Sequence, residues 1–160
     1  MKKILLTAAA VFAISFANAQ DAKFGAKAGL DMVSVTYSGA SDSATGFFVG
    51  AFADINMADK ISVQPGLNYH TASKDGMKSN FLSIPVLFKY NAADKINLVA
   101  GPALFYDMDS EVTTDKTRFN LNLGASYDVT EQFFIEPSYS LGLTGEAKVN
   151  HLLIGLGYKF

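Results

Sequence analysis

From Phe24 to Phe160, apolar residues recur at every second position in segments of about ten, the pattern of strands whose two faces meet different surroundings. The last segment is the clearest. Leu152, Ile154, Leu156, Tyr158 and Phe160 share one face, and Leu153, Gly155, Gly157 and Lys159 the other. The same alternation runs through Phe133 to Leu143, Arg118 to Val129 and Ile61 to His70, and less purely through Leu82 to Tyr90, Ile96 to Tyr106 and Phe47 to Ile55. The opening segment, Phe24 to Val35, sets Lys27 and Asp31 against Ala26, Ala28, Leu30 and Met32. About eight strands are predicted, an even number that can close into an antiparallel barrel.

The connections alternate in length. Asn56 to Lys60, Asn91 to Lys95 and Asp128 to Gln132 are tight turns on one rim, and they recur with their strands at intervals of about 36 residues. Tyr37 to Thr45, Thr71 to Asn80, Asp107 to Thr117 and Gly145 to Asn150 are predicted to be longer polar loops on the other rim. Short turns opposite long polar loops is the asymmetry of transmembrane barrels, with turns in the periplasm and loops outside.

The N-terminus changes how much of the chain takes part. Lys2 and Lys3 precede an apolar stretch from Ile4 to Phe16, and Ala17-Asn18-Ala19 supplies a small-x-small cleavage pattern. Residues 1–19 are therefore read as a cleaved signal peptide and 20–160 as one β-barrel domain. The absence of cysteine excludes lipid modification at the cut and any disulfide framework. Without Lys2 and Lys3, 11 basic residues face 15 acidic ones, a balance that gives nucleic acid no basic surface to bind.

Alternation alone does not say which face points into the barrel. The less oily face carries Gly25, Gly29, Gly50, Gly66, Gly101, Gly124, Gly142, Gly155 and Gly157 among Lys27, Asp31, Asp54, Lys89, Arg118, Asp128, Glu136 and Lys159. Small residues and mixed charges suit the narrow lumen of an eight-stranded barrel, where they can pack as hydrogen-bonded pairs. On a water-facing surface so many glycines would only weaken the strands. Tyr69, Tyr90, Tyr106, Tyr127, Phe133, Tyr158 and Phe160 fall near strand ends on the oily face, where aromatic girdles sit in membrane barrels. The expected fold is an all-β, closed, up-and-down transmembrane β-barrel in the outer membrane, contacting lipid over its apolar face.

Several segments resemble the small outer-membrane β-barrel family common in Bacteroidetes, the PorT-like or "outer membrane protein beta-barrel domain" family, and loosely the OmpX and OmpA type. Phe24 to Leu30 is similar to the family's opening strand, Ser83-Ile84-Pro85-Val86-Leu87-Phe88-Lys89-Tyr90 to its "IPxLxKY"-like strand, and Val99-Ala100-Gly101-Pro102 to the glycine-rich strand that follows. The C-terminal Gly155 to Phe160 looks like the signal recognised by the barrel-assembly machinery, with Phe160 in phase with Tyr158; Leu153 stands where a polar residue is common. The resemblance implies partnership with that machinery and says little about activity, because fold analogy does not supply chemistry.

Chemistry is sparse. His70 and His151 are the two histidines, and their parity turns both inward near the loop rim, where they are expected to be hydrogen-bonded or solvated. A Ser140, His151 and Glu136 hydrolase triad is set aside, because hairpin pairing of Gly142 with His151 would hold Glu136 about 20 Å along the strand. Asp107-Met108-Asp109-Ser110-Glu111 opens like a calcium loop, but Val112 and Arg118 stand where an EF-hand needs Gly and Glu. Pro65, Pro85, Pro102 and Pro137 fall inside strands, with bulges or rim positions as the expected explanation and a gate as the alternative. Lys27, Arg118, Asp54, Asp128 and Glu136 read as structural ion pairs, with an ion path as the alternative.

No catalytic, cofactor-binding or metal-binding residue is assigned on this reading, and no cofactor. The expected role is that of a non-enzymatic barrel serving envelope structure, adhesion or assembly through mobile outer loops, with an extracellular partner the sequence does not name. A narrow porin-like pore, a soluble lipocalin-like carrier and an outer-membrane lipid-modifying enzyme are the alternatives.

Overall fold

The structure, a computed structural model, describes residues 22–74, 76–109, 116–145 and 147–160. The segment 1–19 read as a signal peptide lies outside them, as does 110–115 of the calcium-like loop. The strands are β1 (Ala22–Tyr37), β2 (Ala40–Ala58), β3 (Ile61–Lys74), β4 (Met77–Ala93), β5 (Ile96–Asp107), β6 (Thr117–Asp128), β7 (Phe133–Gly142) and β8 (Lys148–Lys159). Each pairs antiparallel with the next, and β8 returns to β1 from Gly25↔Lys159 to Thr36↔Lys148, closing the barrel in the order β1 to β8.

The narrow rim repeats one device. Asn56-Met57-Ala58-Asp59-Lys60 and Asn91-Ala92-Ala93-Asp94-Lys95 each shift register by one residue, at Asn56/Ala58 and Asn91/Ala93, before turning. The Lys60 carbonyl then accepts from Asn91 N–H at 2.9 Å, the Lys95 carbonyl from Asp128 N–H at 2.8 Å and the Gln132 carbonyl from Lys159 N–H at 2.8 Å. Each turn is thereby fastened to the next hairpin. These bulges belong to the turns. The prolines, contrary to expectation, sit in strands whose register is unbroken, as Pro65↔Val86 followed by Asn68↔Ser83 shows. A proline that lacks an N–H drops a ladder bond without inserting a residue.

The outer face carries a belt of exposed apolar residues. Tyr90, Tyr127, Phe133 and Phe160 mark its lower edge, and Met32, Phe47, Tyr69 and Phe119 its upper edge, with Leu98, Leu123, Ile154 and Leu156 exposed between them. In water such a surface would drive association; in a bilayer it is the lipid contact. The inward positions are buried and mainly polar. A soluble lipocalin-like carrier has the reverse arrangement, so the outer face overturns that alternative.

Above the belt the pattern inverts without any change of register. On β1, Leu30 and Met32 point outward, with Lys27 and Asp31 inside; one turn of the pleat later Val33 is buried, packed with Ala72, Val149, Val35 and Ala44, while Ser34 and Thr36 face outward. β3 does the same, from outward Leu67 and Tyr69 to buried Ala72 beside outward Thr71 and Ser73. The outer side of the wall has changed solvent from hydrocarbon to water, so the apolar side chains move inside. Consecutive Met32-Val33 is where that change is written.

This inversion corrects two predicted loops. Tyr37–Thr45 and Thr71–Asn80 are mostly strand, because alternation continues there in the opposite phase. A membrane crossing needs about 9–11 residues, and β2 has 19. The β1–β2 hairpin ends in Ser38-Gly39, with φ of 48° and 83°; two left-handed residues in succession are the mark of a type I′ turn, which suits Gly in the second place. Lys74 pairs with Asp42 across the two hairpins, and Tyr69 Oη donates to Asn80 Oδ1 at 2.8 Å.

The lumen also holds more than small residues and charges. Phe48, Phe52, Phe81, Phe105 and Phe134 all point inward and are buried. Several glycines face them: a Cβ on Gly25 would collide with the Phe52 ring, on Gly155 with Phe48 and on Gly157 with Phe134. The glycines thus leave room for rings inside a wall too narrow for two side chains. Gly157→Ala is expected to cost about 1–3 kcal/mol by overpacking, and Phe134→Leu in the same chain to recover part of that cost. Urea refolding titrations in detergent micelles check it; equal and additive losses in single and double variants would separate Gly157 from Phe134.

Candidate functional site

Three of the lumen's carboxylates meet ammonium groups one for one. Lys159 Nζ lies 2.7 Å from Asp128 Oδ1, Lys89 Nζ 2.8 Å from Asp54 Oδ2, and Lys27 Nζ 2.8 Å from Glu136 Oε1. Phe52 and Phe134 stand among them at 5.6 Å, edge to face, with Lys27 Nζ 5.9 Å from the Phe52 centroid and Lys159 Nζ 5.4 Å from that of Phe134. Pairing the charges offsets their desolvation. Of the charged set singled out in sequence, Arg118 stands apart: it is paired in register with Phe105, toward the loop end of β6.

Above these pairs lies a cluster that joins β1, β3, β4 and β8. Asp31 Oδ2 is 2.8 Å from His70 Nδ1, and Asp31 Oδ1 is 3.0 Å from His151 Nδ1. His70 Nε2 is 2.9 Å from Ser83 Oγ, which also accepts from Asn68 Nδ2 at 3.2 Å. An ionised carboxylate only accepts, so both imidazoles donate to Asp31 through Nδ1–H and His70 Nε2 accepts the Ser83 hydroxyl. Phe105 stacks on His151 at 4.6 Å between ring centroids, and Phe48 on His70 at 5.7 Å. None of Asp31, His70, His151 and Ser83 is more than 1% exposed.

The histidines are therefore hydrogen-bonded as expected, but they are interior groups roofed by Phe81, Phe105 and the valine cluster. The strands continue above them, which the loop assignment concealed. Ser140 is the residue opposite His151, correcting the expected pairing by two positions, because β7 and β8 are joined by a wider loop in which Leu143 N–H bonds the Phe119 carbonyl instead. Glu136 is engaged by Lys27, so the triad that was set aside is not assembled.

A different one is present in connectivity: Ser83, His70 and Asp31 have the order of nucleophile, base and orienting carboxylate. Chemistry there would also need a substrate path and oxyanion donors. Ser83 lies in the wall between Asn68 of β3 and Phe105 of β5, sealed beneath aromatic rings. Sequence reading missed Asp31 and Ser83 as partners of the histidines. Their shared inward parity was visible, whereas the rotation of β1 against β3 around a closed barrel was not.

In the calcium-like segment, Asp109 Oδ2 accepts from Asn80 N–H at 2.6 Å and Asn80 Nδ2 at 2.8 Å. Those bonds tie the third outer connection to β4.

Comparison with known proteins agrees with this geometry. A family model described as "Outer membrane protein beta-barrel domain" matches residues 4–160. The attachment invasion locus protein Ail of Yersinia pestis is similar in structure with a TM-score of 0.65 at 16% identity, covering 88% of this chain and 100% of that one. Neisserial surface protein A also scores 0.65, at 14% identity with 88% and 100% coverage, and a de novo designed transmembrane β-barrel scores 0.55 at 14% identity with 86% and 95%. At such identities the likeness is one of fold. No curated protein matches the chain significantly.

Proposed function

The chain belongs to the outer membrane protein beta-barrel domain family and resides in the outer membrane, and from that premise we propose that it is a closed, non-enzymatic anchor presenting stiff β-hairpins to the outside. One observation carries the reading: the β1–β2 and β3–β4 ladders outrun the lipid belt and continue, with their own apolar filling, to tight turns. Preorganised hairpins lose little entropy on meeting a partner, which suits adhesion or contact with other envelope components. The fold likeness to a protein named for attachment is in keeping with this role. A closer affinity to the Bacteroidetes PorT-like group rests on sequence resemblance, above all in Ser83-Ile84-Pro85-Val86-Leu87-Phe88-Lys89-Tyr90, and forms part of the proposal.

A narrow pore is the second reading. Among the described residues, six buried side-chain atoms, Asp54 Oδ1, Gln64 Nε2, Asn68 Oδ1, Asn120 Oδ1, Asn122 Oδ1 and Glu136 Oε2, have no protein partner, and such atoms are usually satisfied by water. Matched ion pairs and five phenylalanine rings stand across that route. The closed-anchor reading expects no conductance above baseline in planar bilayers and loss of cell-surface adhesion when both hairpins are shortened to the belt. Discrete channel openings from pure, folded protein would favour the pore.

We assign recognition by the barrel-assembly machinery to the C-terminal strand. Tyr158 packs against Phe133 at 4.8 Å and Phe160 at 5.5 Å between ring centroids, and Phe160 N–H bonds the Phe24 carbonyl at 2.8 Å as the barrel closes. Phe160→Ala is expected to lower the outer-membrane level in cells while leaving refolding into detergent intact. Equal loss in both settings would make the ring a stability element only.

A further inference from the structure

We propose that Asp31, His70 and His151 form a binding site for one divalent transition-metal ion of the zinc class. Among the described residues, these three bring their ligand atoms within 4.8 Å of one another. The donors are the two Nδ1 atoms and the Asp31 carboxylate. Two imidazoles and one carboxylate select zinc, cobalt(II) or nickel(II) over magnesium and calcium, which prefer all-oxygen shells. Three protein ligands leave a fourth tetrahedral position for water.

Two further observations support a metal. The outer partners of the ring are in place: Ser83 Oγ lies 2.9 Å from His70 Nε2, and Asn68 holds Ser83 from behind. A metal-ligating histidine characteristically engages its other nitrogen in this way, which fixes tautomer and ring orientation. The second observation is charge. Asp54, Asp128 and Glu136 each face a lysine ammonium, whereas among the described residues Asp31 pairs with the two imidazoles. A fully buried carboxylate calls for a compensating cation, and either a proton on an imidazole or a bound metal ion supplies it.

Binding needs no redox step. The proton that balances Asp31 in the metal-free site is released to solvent as the ion enters, each imidazole keeps its one remaining proton on Nε2, the freed Nδ1 lone pairs coordinate the ion, and the His70 Nε2–H then donates to Ser83 Oγ. The apolar roof of Val33, Phe81, Phe105 and Val149 shuts the site from outside, so loading accompanies folding, and the ion locks β1, β3 and β8 together.

The test is to refold untagged chain from urea into detergent micelles with cobalt(II) or zinc(II), remove free metal, and measure bound ion per folded chain and the cobalt visible spectrum. Folding is scored by heat-modifiable gel mobility. The expected result is one ion per barrel with tetrahedral cobalt bands, at least a tenfold loss of bound metal in Asp31→Asn and in His151→Gln, and roughly 10–100-fold weaker binding in Ser83→Ala, which removes only the outer partner. Folded wild type that retains under a tenth of an ion per chain would overturn the proposal and leave a protonated imidazole as the balancing charge. Unchanged uptake in folded Asp31→Asn would overturn it too. If neither ligand variant folds, stoichiometry and cobalt spectrum of the wild type decide the matter, with Ser83→Ala as the second variant.

Discussion

A peptide group in hydrocarbon has no water to bond, so a sheet that crosses a membrane must leave no edge. The ladder between β1 and β8, twelve paired positions from Gly25↔Lys159 to Thr36↔Lys148, meets that constraint, and much else follows from it. Closing eight strands fixes a narrow interior. Every inward side chain must then find a partner across the lumen. Lys27 with Glu136, Lys89 with Asp54, and Asp31 with two histidines are the polar solutions; rings set against Gly25, Gly155 and Gly157 are the apolar ones.

The same wall faces hydrocarbon low down and water high up, and the chain answers by exchanging its two faces. The inside is mainly polar, with a few phenylalanine rings, where the outside is lipid, and apolar where the outside is aqueous. The upper part is a pair of β-hairpins with a small apolar filling, standing on a membrane barrel. The two hairpins are braced by packing: Val33 of β1 and Ala72 of β3 meet Val149 of β8 in one apolar cluster. A braced projection on a closed base is the arrangement that the proposed adhesive or envelope-contact role would use.

Much of the architecture was legible in the sequence because period-two alternation is strong wherever a strand separates lipid from a polar lumen. Leu152 to Phe160 and Phe133 to Leu143 show it with hardly an exception. It failed where the phase changes: Ser41, Ser43 and Thr45, polar and outward, look like loop residues until Val33, Val35 and Ala44 are seen behind them. The lumen phenylalanines were hidden for a related reason. Phe47-Phe48 and Phe133-Phe134 put a lipid-facing and an inward ring side by side, and alternation weights them alike. The Asp31, His70, His151 and Ser83 cluster was beyond reach because its members come from four strands and meet only across the closed lumen; parity marks each as inward but does not set its height.

The exchange of polarity between the barrel's two faces at Met32-Val33 is open to a direct test, because the chain has no cysteine of its own and one nitroxide at a time can be placed from Ala28 to Thr36 in bilayer-reconstituted protein. Collision rates with oxygen and with a water-soluble nickel chelate distinguish lipid, water and interior. Oxygen-dominated collisions are expected at Ala28, Leu30 and Met32, chelate-dominated collisions at Ser34 and Thr36, and protection from both at Val33 and Val35. Lipid exposure at Val33 and Val35, or chelate access at Leu30, would contradict the exchange.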